Sequence, residues 1–263
     1  MDGNRVAFRG DKMKVSIITV VKSHADGLKE TFDSLLNQNY DDWEMIIVCG
    51  ESEDDTLSVA FALSEKHARV FLVQQRDVGI YDAMNEGINA ATGGYLWFMN
   101  AGDRFFSSNT LSNAMRIIIH YDLDLLIGGY QIGCGDNSTS YSYPEKQISK
   151  FLFAFNRRSS CHQSMIFKSK TVRNFNGYDT KYTLASDFDL ALSVVQYGAA
   201  RRMPEIYSEI EPGGRADREI FKVHREKHLI RISHFRNPLV TLISLLWTSL
   251  ARVKINFRHY VSN

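Results

Sequence analysis

The sequence predicts an α/β protein built on one mostly parallel sheet that is flanked by helices. Two observations predict this class: strand-like and helix-like segments alternate four times in the first hundred residues, and the strand-like segments are short and apolar. Crossovers of roughly ten helical residues join parallel neighbours in right-handed βαβ units. The second half of the chain departs from this alternation and predicts a mixed region.

The first elements follow from runs of apolar residues. Residues 14–21, KVSIITVV, form a β-branched run that predicts a buried strand. The next segment, DGLKETFDSLLNQ, carries Leu28, Phe32 and Leu35 at helical spacing. Trp43–Cys49 is a second apolar run and predicts a second strand. Together these segments predict the first strand, crossover helix and strand of the sheet.

The next two units repeat the pattern. DDTLSVAFALSEK predicts a helix with acids in its first turn, where the helix dipole favours them. Residues 69–75 predict a third strand, and GIYDAMNEGINAA predicts a third helix that Gly93 and Gly94 would end. YLWFMN then predicts a fourth strand, in which Trp97 is expected to be core. This strand leads directly into the tetrapeptide NAGD.

The second half predicts strands in LDLLIGGYQIG, CHQSMIFKS and ARRMPEIYSEIEPGG. Between the last two, ASDFDLALSVVQYG predicts an amphipathic helix with a Ser/Asp cap. The predicted organisation is an N-terminal extension over residues 1–13, one compact domain over 14–215, and a basic, amphipathic helical tail over 216–263.

Composition excludes several classes of protein. The 263 residues have a net charge of +1, which gives no indication of a nucleic-acid partner. The three cysteines are far apart, so a disulfide framework or zinc cluster is not expected, and a reducing compartment fits best. The N-terminus lacks the apolar core of a secretory signal, which predicts a cytoplasmic protein.

The tail concentrates positive charge. From Arg215 onward there are ten Lys/Arg and three Asp/Glu, so an anionic partner is expected. Within the tail, the apolar residues 238–251 reach about 21 Å as a helix, short of the roughly 30 Å of a bilayer core. Trp247 and the flanking cations, such as Arg236 and Arg252, are compatible with a helix lying in the membrane interface. A helix packed on the body is the equal alternative.

The loops after the four strands, VKSHAD, GESEDD, QRDVG and NAGD, are expected to converge at one sheet edge, where such folds bind ligands. The chain has no GxGxxG after the first strand, no GxxxxGK[ST] and no GxSxG. A dinucleotide oxidoreductase, a P-loop kinase and an α/β-hydrolase are therefore disfavoured. A nucleotide-type sheet without the usual phosphate loops remains.

Two long segments resemble the large inverting glycosyltransferase family 2. VSIITVVKSHADGLKETFDSLLNQNYDDWEMIIVCGESEDDT resembles its opening, and DVGIYDAMNEGINAATGGYLWFMNAGD is similar to a subgroup acting in bacterial colanic acid or O-antigen assembly. GIYDAMN, NAGD, CHQ and SDFDL occur in the subgroup's order, and the resemblance extends over roughly residues 14–215. It implies a GT-A fold with a Rossmann-like sheet.

The resemblance also implies a reaction. A sugar, in a hexosyltransferase-type step, would move from a nucleotide diphosphate-sugar to an acceptor hydroxyl with inversion at the anomeric carbon. The implied pathway is bacterial surface polysaccharide synthesis (O-antigen, capsule or exopolysaccharide), with a lipid-linked glycan acceptor at the inner face of the cytoplasmic membrane. The leaving diphosphate needs positive charge and the acceptor hydroxyl needs a base.

The resemblance assigns these two tasks to two carboxylates. NAGD stands where the family has an Asp-x-Asp type motif, so Asp103 is the remaining ligand for Mg²⁺ or Mn²⁺, with Asn100 adding a carbonyl or orienting it. The alternative for Asp103 is a turn residue. Asp187, at the start of a helix, matches the family's base, against the alternative that Asp187 or Ser186 only caps the helix. Asp189 is the rival acid, expected to turn away.

The donor is expected to lie over the first strands. Cys49 stands where the family usually has an acid that binds the base, which leaves uridine, guanosine and thymidine donors open. Asp77 flanks the third helix, and Gly213 and Gly214 would hinge a loop that closes over the donor. The residues predicted to bind the nucleotide-sugar are Thr19, Val20, Lys22, Cys49, Gly50, Glu51, Arg76, Asp82, Asn85, Asn100, Ala101, His162, Gln163 and Arg215.

One other function stays open. The reduced NAGD motif and the missing acid at Cys49 are also compatible with a non-catalytic, nucleotide-binding pseudo-transferase that acts as a subunit or scaffold. A sugar nucleotidyltransferase is disfavoured because it needs a glycine-rich phosphate loop after the first strand, and VKSHADG does not supply one.

Overall fold

A computed structural model of the chain describes residues 13–76, 79–135, 138–156 and 160–261, with side chains described up to residue 249. The strands are β1 Val15–Val21, β2 Trp43–Cys49, β3 Val70–Gln74, β4 Tyr95–Phe98, β5 Arg104–Phe105, β6 Leu125–Ile132, β7 Thr139–Tyr141, β8 Lys146–Gln147, β9 Met165–Lys168 and β10 Ala200–Ile210. The helices are α1 Ala25–Leu36, α2 Thr56–Lys66, α3 Ile80–Ala90, α4 Thr110–Tyr121, α5 Lys150–Ala154, α6 Ser169–Asn174, α7 Ser186–Tyr197, α8 Arg215–Arg218, α9 Ile220–Phe235 and α10 Pro238–Val261.

The strands form one sheet in the order β3-β2-β1-β4-β9-β6-β10-β5, with β7 and β8 pairing at the side. β3, β2, β1 and β4 run parallel, as the four strand–helix repeats predict. β9 is antiparallel to both of its neighbours, and β10 pairs parallel with β6. The predicted α/β class, parallel first half and mixed second half are confirmed. The carboxyl ends of β1, β2 and β4 therefore meet at one edge.

Alternate residues of each central strand feed two separate cores. Trp97 belongs to the core under α1, α2 and α4, whereas Phe98 belongs to the core under α3, α5 and α7. Both side chains are fully buried. Since a strand alternates its side chains between faces, a continuously apolar run such as Tyr95–Phe98 must be covered on both sides. The prediction that Trp97 is core is confirmed.

The prediction that Gly93 and Gly94 end α3 is wrong. The helix stops at Ala90, and Ala91 is already extended, so Gly93 and Gly94 do not terminate it. Gly93 is needed for a different reason. A Cβ atom there would lie 2.6 Å from Ser16 Oγ and 2.7 Å from the carbonyl of Lys14, which no side chain tolerates.

A buried carboxylate ties the amino end of the sheet together. Glu44 on β2 is 1% exposed and accepts hydrogen bonds from Ser16 Oγ at 2.6 Å, from the Thr92 backbone N–H at 2.6 Å and from the Gly93 N–H at 3.1 Å. Lys14 pairs with it at 2.5 Å. Burial raises the pKa of Glu44, but the hydrogen bonds of Lys14, Ser16 and Thr92 together outweigh it and lower that pKa to about 2.

Glu44→Gln is expected to lower the free energy of unfolding by roughly 2–4 kcal/mol at pH 7, because an amide nitrogen would face buried donors. The lowered pKa means that this contribution is present above about pH 4.5 and is lost as the pH falls toward about 2. Urea unfolding at pH 7 and pH 3 should show the difference shrinking at the lower pH. Glu65→Gln, at an exposed position of α2, is the control and should change stability by less than about 0.5 kcal/mol. An equal effect of the two variants would contradict the prediction.

The segment predicted as a tail is partly built into the body. α9 buries Val223, Glu226, Ile230 and Arg231, and Ile230 belongs to the core that also contains the α7 residues. α10 packs on α9, where the ring of His228 lies 2.8 Å from Ser244 Oγ. Within the described residues, no helix combines the length and the apolarity needed to cross a membrane.

Candidate active site

The NAGD turn closes the carboxyl end of β4 beside β1. The backbone N–H of Met99 donates to Ile18, and the N–H of Gly102 donates to Gly27 in the first turn of α1. Thr31 Oγ1, on α1, donates to the carbonyl of Asp103 at 2.7 Å. These bonds fix the turn against α1, so its side chains are presented at the edge where the parallel strands end.

Asp103 is the residue on which three elements converge. Gln163 Nε2 donates to Oδ2 at 2.7 Å, and the backbone N–H of Glu211, at the end of β10, donates to Oδ1 at 3.0 Å. The side chain is 4% exposed, and burial raises its pKa to about 6, against the two hydrogen bonds that lower it. Each carboxylate oxygen thus already accepts an N–H. Asp103 holds the turn, the residues before β9 and the end of β10 together.

Gly102 stands at the middle acidic position of the family's Asp-x-Asp type motif, and its neighbours explain why no acid is present there. Its φ is +94°, a conformation that favours glycine, and a Cβ atom there would lie 2.4 Å from Glu211 Oε2. The same carboxylate oxygen lies 3.0 Å from His24 Nε2. Glu211, which the sequence placed only in a loop, therefore brings a carboxylate next to the position from which the family's acid is absent.

A chain of polar contacts runs from the turn to α7. Asn100 Nδ2 lies 3.1 Å from His162 Nε2, and His162 Nδ1 lies 3.8 Å from Asp187 Oδ2. The pKa of His162 is lowered by burial, with the charge of Asp187 opposing that shift, so the ring is neutral at pH 7. If Nε2 accepts from Asn100, the ring proton is on Nδ1 and points to Asp187. Tyr81 OH, on α3, donates to Asp187 Oδ1 at 3.3 Å.

His162 and Gln163 lie in a 3₁₀ turn, His162–Ser164, immediately before β9. The sequence placed them at the start of the strand itself. Because of this turn, the two side chains have different partners. His162 contacts Asn100 and Asp187, whereas Gln163 binds Asp103.

The amino end of α7 is held by a carboxylate from the predicted tail. Glu226 on α9 accepts the backbone N–H groups of Thr183, Leu184 and Ala185 at 3.1, 2.9 and 3.0 Å. The predicted Ser/Asp cap is wrong, since Ala185 is the N-cap, no side chain caps it, and Ser186 Oγ is buried without a partner among the described residues. Glu226 is 42 residues from Leu184 in the chain, so local sequence offers no signal for it.

Asp187 and its rival have different partners. Asp187 accepts the N–H of Phe188 at 2.8 Å and faces Tyr81 and His162, as given above. Asp189 instead lies 2.8 Å from the ring of His234 on α9. Of these two acids, Asp187 is the one that is connected to the NAGD turn, through His162 and Asn100.

Some predicted donor-binding residues lie at the shared strand edge. Thr19 is fully buried, and its hydroxyl has no partner among the described residues. Cys49 is buried, burial raises its pKa, and Gly50 donates its N–H to Val21. Val20 is half-buried and bonds through its carbonyl to the N–H of Ala101 at 3.4 Å. The exposed residues at the ends of these strands are Lys22, Glu51 and Arg76.

Two predicted donor contacts have other partners in the structure. Asn85 donates to the carbonyl of Tyr178 and accepts its N–H at 2.9 and 2.8 Å, so its amide is used to hold that turn. Arg215 pairs with Glu219 at 2.6 Å on the exposed helix α8. Asp82 lies in the first turn of α3 as predicted. Asp77 falls outside the described residues.

The oxygen atoms at this edge determine whether a divalent cation fits there. Among the described residues, no three His, Cys, Asp or Glu side chains form a group that could hold a metal. Asp103 already uses both oxygens, as shown above. Asn100 Oδ1, in contrast, is buried and has no hydrogen-bond partner in the described part of the chain. An amide oxygen of this kind suits Mg²⁺ or Mn²⁺, which accept carbonyl, water and phosphate oxygens.

The fold is GT-A-like, with a central sheet flanked by helices. A family model described as glycosyl transferase family 2 matches residues 16–177, more than half of the chain. The chain therefore belongs to glycosyltransferase family 2. The resemblance seen in the sequence is confirmed at this level, and the colanic acid or O-antigen subgroup stays a prediction.

Relatives and solved structures agree with the family. A PGL/p-HBAD biosynthesis glycosyltransferase of Mycobacterium bovis is 29% identical over 176 residues, which is 66% of this chain and 66% of that protein. Residues 1–349 of S. aureus TarS superpose with a TM-score of 0.67 at 15% identity, covering 84% of this chain and 66% of that one. The mannosyltransferase PcManGT from Pyrobaculum calidifontis, solved with GDP-Man and Mn²⁺, gives 0.66 at 17% identity, covering 91% and 71%.

Proposed function

We propose that this chain transfers a sugar from a nucleotide diphosphate-sugar to an acceptor hydroxyl with inversion, and that Asp187 is the base. The observation that carries the proposal is the polar chain from Asn100 through His162 to Asp187. It links the end of β4, where the family match and the fold expect the donor, to a carboxylate at the amino end of a helix.

Each residue of this chain has a defined task in the proposed reaction. Asp187 accepts the proton of the acceptor hydroxyl as that oxygen attacks the anomeric carbon. Tyr81 OH, bonded to Oδ1, leaves Oδ2 to face His162 and the substrate side. The neutral His162 ring orients the carboxylate without supplying a full positive charge, which would weaken the base.

We propose that Asn100 would hold a divalent cation through Oδ1 when the donor is bound, and that Asp103 fixes the turn that carries Asn100. A bound Mg²⁺ or Mn²⁺ would neutralise charge on the leaving diphosphate. With one neutral protein oxygen, the cation site would be completed by the donor. PcManGT, with bound Mn²⁺ and GDP-Man, supports a cation in this family.

Asn100→Asp is expected to lower the Mn²⁺ concentration for half-maximal donor binding by at least about fivefold, because a carboxylate replaces a neutral amide oxygen. Asn100→Ala should raise it by a similar factor. The measurement is a Mn²⁺ titration of the thermal shift produced by a nucleotide-sugar. Asn113→Asp, on α4, is the matched control. If neither Asn100 variant changes the Mn²⁺ concentration for half-maximal donor binding, Asp103 rather than Asn100 is the cation ligand.

The donor and acceptor classes belong to the same proposal. TarS is solved with UDP and with UDP-GlcNAc, and PcManGT with GDP-Man, so UDP- and GDP-sugars are the first candidates here. We propose a lipid-linked glycan acceptor in bacterial surface polysaccharide synthesis. The chain spans 66% of the length of its mycobacterial relative, which is named for PGL/p-HBAD biosynthesis.

A thermal-shift screen of UDP-, GDP- and dTDP-sugars with Mn²⁺, followed by an assay for release of the nucleoside diphosphate, tests the function. The enzyme hypothesis expects binding of one nucleotide class and turnover of its sugar. Binding without any turnover in the presence of glycan acceptors would favour the non-catalytic scaffold. Absence of binding to all three classes would overturn both.

We further propose that α10 rests on the cytoplasmic membrane surface. Its inner side buries Val240, Ser244 and Thr248, whereas four leucines of its outer side are between 48% and 64% exposed. Flanking cations at Arg236 and beyond residue 251 suit anionic headgroups. The exposed leucines are Leu239 (64%), Leu242 (54%), Leu245 (48%) and Leu246 (57%).

The pair Leu242→Glu and Leu246→Glu is expected to reduce binding to phosphatidylglycerol vesicles by at least about tenfold, because it places two like charges on the apolar face. Vesicle co-sedimentation measures this. Phe61→Glu, at a 56% exposed position of α2, is the control and should bind like the original chain. Substitution is preferable to removal of residues 236–263, because α10 also covers α9. Equal sedimentation of all three proteins would contradict membrane contact through α10.

A further inference from the structure

A cavity lies away from the NAGD turn, between α5, α7, α9 and α10. It encloses about 530 Å³ including its mouth, which is open to solvent. Its walls combine aromatic side chains, Phe153, Phe188 and Trp247, with the polar groups of Asn156 and Ser160. Its described lining includes none of the residues assigned to the strand-edge site or to the proposed reaction.

The cavity gathers cations from two elements that are distant in the chain. Arg202 comes from β10, while Lys227 and Arg231 come from successive turns of α9, with His224 beside them. None of the lining residues that the structure describes is acidic. The guanidinium groups of Arg202 and Arg231 share this partly buried space with Lys227, so an anion bound there would lower the mutual repulsion of these side chains.

Unsatisfied donors mark this cluster as a built site. Arg231 is 3% exposed; its Nε donates to the carbonyl of Ala154 at 2.7 Å, while its Nη1 has no partner in the described part of the chain. Arg202 Nε is likewise buried without a partner, although its Nη2 reaches Ser160 Oγ at 3.4 Å. Burial lowers the pKa of Arg202 and Lys227 and lowers that of Arg231 to about 10, so the Arg231 guanidinium remains protonated at pH 7.

The cavity adjoins both the proposed base and the proposed membrane helix. Phe188, which lines it, follows Asp187 directly, and Lys227 lies close enough to Asp187 for their charges to interact. On the other side, Trp247 belongs to α10, whose outer leucines are exposed. An anionic group held here would therefore sit between the lipid surface and the base.

From these observations we propose that the cavity lined by Arg202, Lys227 and Arg231 binds the phosphate or diphosphate ester through which the acceptor glycan is joined to its lipid. The inference rests on the proposed transferase function and names the anionic group that the acceptor must carry. Guanidinium forks match phosphate oxygens in geometry, and the aromatic walls suit the first carbons of an isoprenoid-type chain. No chemical step takes place in the cavity.

Binding of soluble probes to the full chain tests the proposal. Inorganic pyrophosphate and farnesyl diphosphate are expected to raise the unfolding temperature of the protein, and uncharged farnesol is not. Arg202→Gln and Lys227→Met should each weaken diphosphate binding at least about tenfold, whereas Arg202→Lys, which keeps the charge but not the guanidinium fork, should bind with an affinity between those of Arg202→Gln and the original chain. Arg225→Gln, at an exposed position of the same helix α9, is the control and should bind normally.

The variants also distinguish an anion site from a purely structural cluster. Without ligand, Arg202→Gln should unfold at the same temperature as the original chain or higher, because it removes a partly buried charge whose Nε has no hydrogen-bond partner among the described residues. A large fall, with unchanged diphosphate affinity in Lys227→Met, would show that the cluster serves folding and would overturn the proposal.

The two probes separate the possible sources of the phosphate group. Farnesyl diphosphate binding at least about tenfold more tightly than pyrophosphate supports a lipid ester. Equal affinities would overturn the acceptor assignment in favour of a free anion. Donor binding is read separately, in the nucleotide-sugar screen. If the protein binds diphosphate but no nucleotide-sugar, the diphosphate site in the cavity stands and the transferase function is refuted. If it binds a nucleotide-sugar but no diphosphate in the cavity, only the cavity proposal is refuted.

Discussion

Asp187→Asn is expected to lower the turnover number at least about 10³-fold while the donor affinity changes by less than about threefold. The substitution removes the proton acceptor but keeps the size of the side chain and its place at the amino end of α7. General-base groups typically contribute about 10²–10⁴-fold, so an effect of this size is what a base at this position would produce. The measurement combines steady-state release of nucleoside diphosphate with a donor titration by thermal shift.

Asp189→Asn is the matched control for this prediction. It lies on the same helix, two residues further on, and pairs with His234 at 2.8 Å rather than with His162. Its turnover should stay within about threefold of the original chain. If Asp189→Asn loses activity and Asp187→Asn retains it, the assignment of the base is reversed; if both retain it, the base is neither acid.

The second large effect is expected for Glu226→Gln, a positioning residue that touches no substrate. Its two oxygens accept three backbone N–H groups and the hydroxyl of Thr183, so the amide nitrogen of glutamine would face at least one buried donor. We expect a loss of roughly 2–4 kcal/mol in the free energy of unfolding, since a buried network is left half satisfied.

The folded fraction of Glu226→Gln should also turn over at least about tenfold more slowly, because the segment before Asp187 loses its anchor. The Michaelis constant for the donor should change little, as no predicted donor contact lies on α9. Glu65→Gln, at an exposed position of α2, serves as the control for stability and rate. Loss of stability with unchanged turnover would limit Glu226 to a purely structural role.

The order of secondary structure and the fold class were accessible from sequence, because they follow from local periodicity. The run around Trp97 had to be a strand covered on both faces, and SDFDL had to begin a helix. The family motifs added the reaction class and the choice of Asp187 over Asp189. Both choices depend on residues that are near each other in the chain.

The wrong expectations share one cause. Gly93 and the predicted Ser/Asp cap were interpreted from their immediate neighbours, yet Gly93 is required by the approach of Ser16, and Glu226 binds the backbone N–H groups that precede α7. Asn85, predicted to bind the donor, uses its amide on Tyr178, and its contact with the donor stays a prediction. In each case a group distant in sequence supplies the hydrogen bond or the steric contact.

The sequence by itself determined the sheet, its two faces and the candidate base. Only the tertiary structure decided what surrounds each candidate: that Gln163 and Glu211 occupy the oxygens of Asp103, that Asn100 keeps a free one, and that Arg202 meets Lys227 and Arg231 in one cavity. The physical reason is that periodicity is encoded over a few residues, whereas the partner of a buried charge or donor is chosen by packing between elements that can be more than a hundred residues apart.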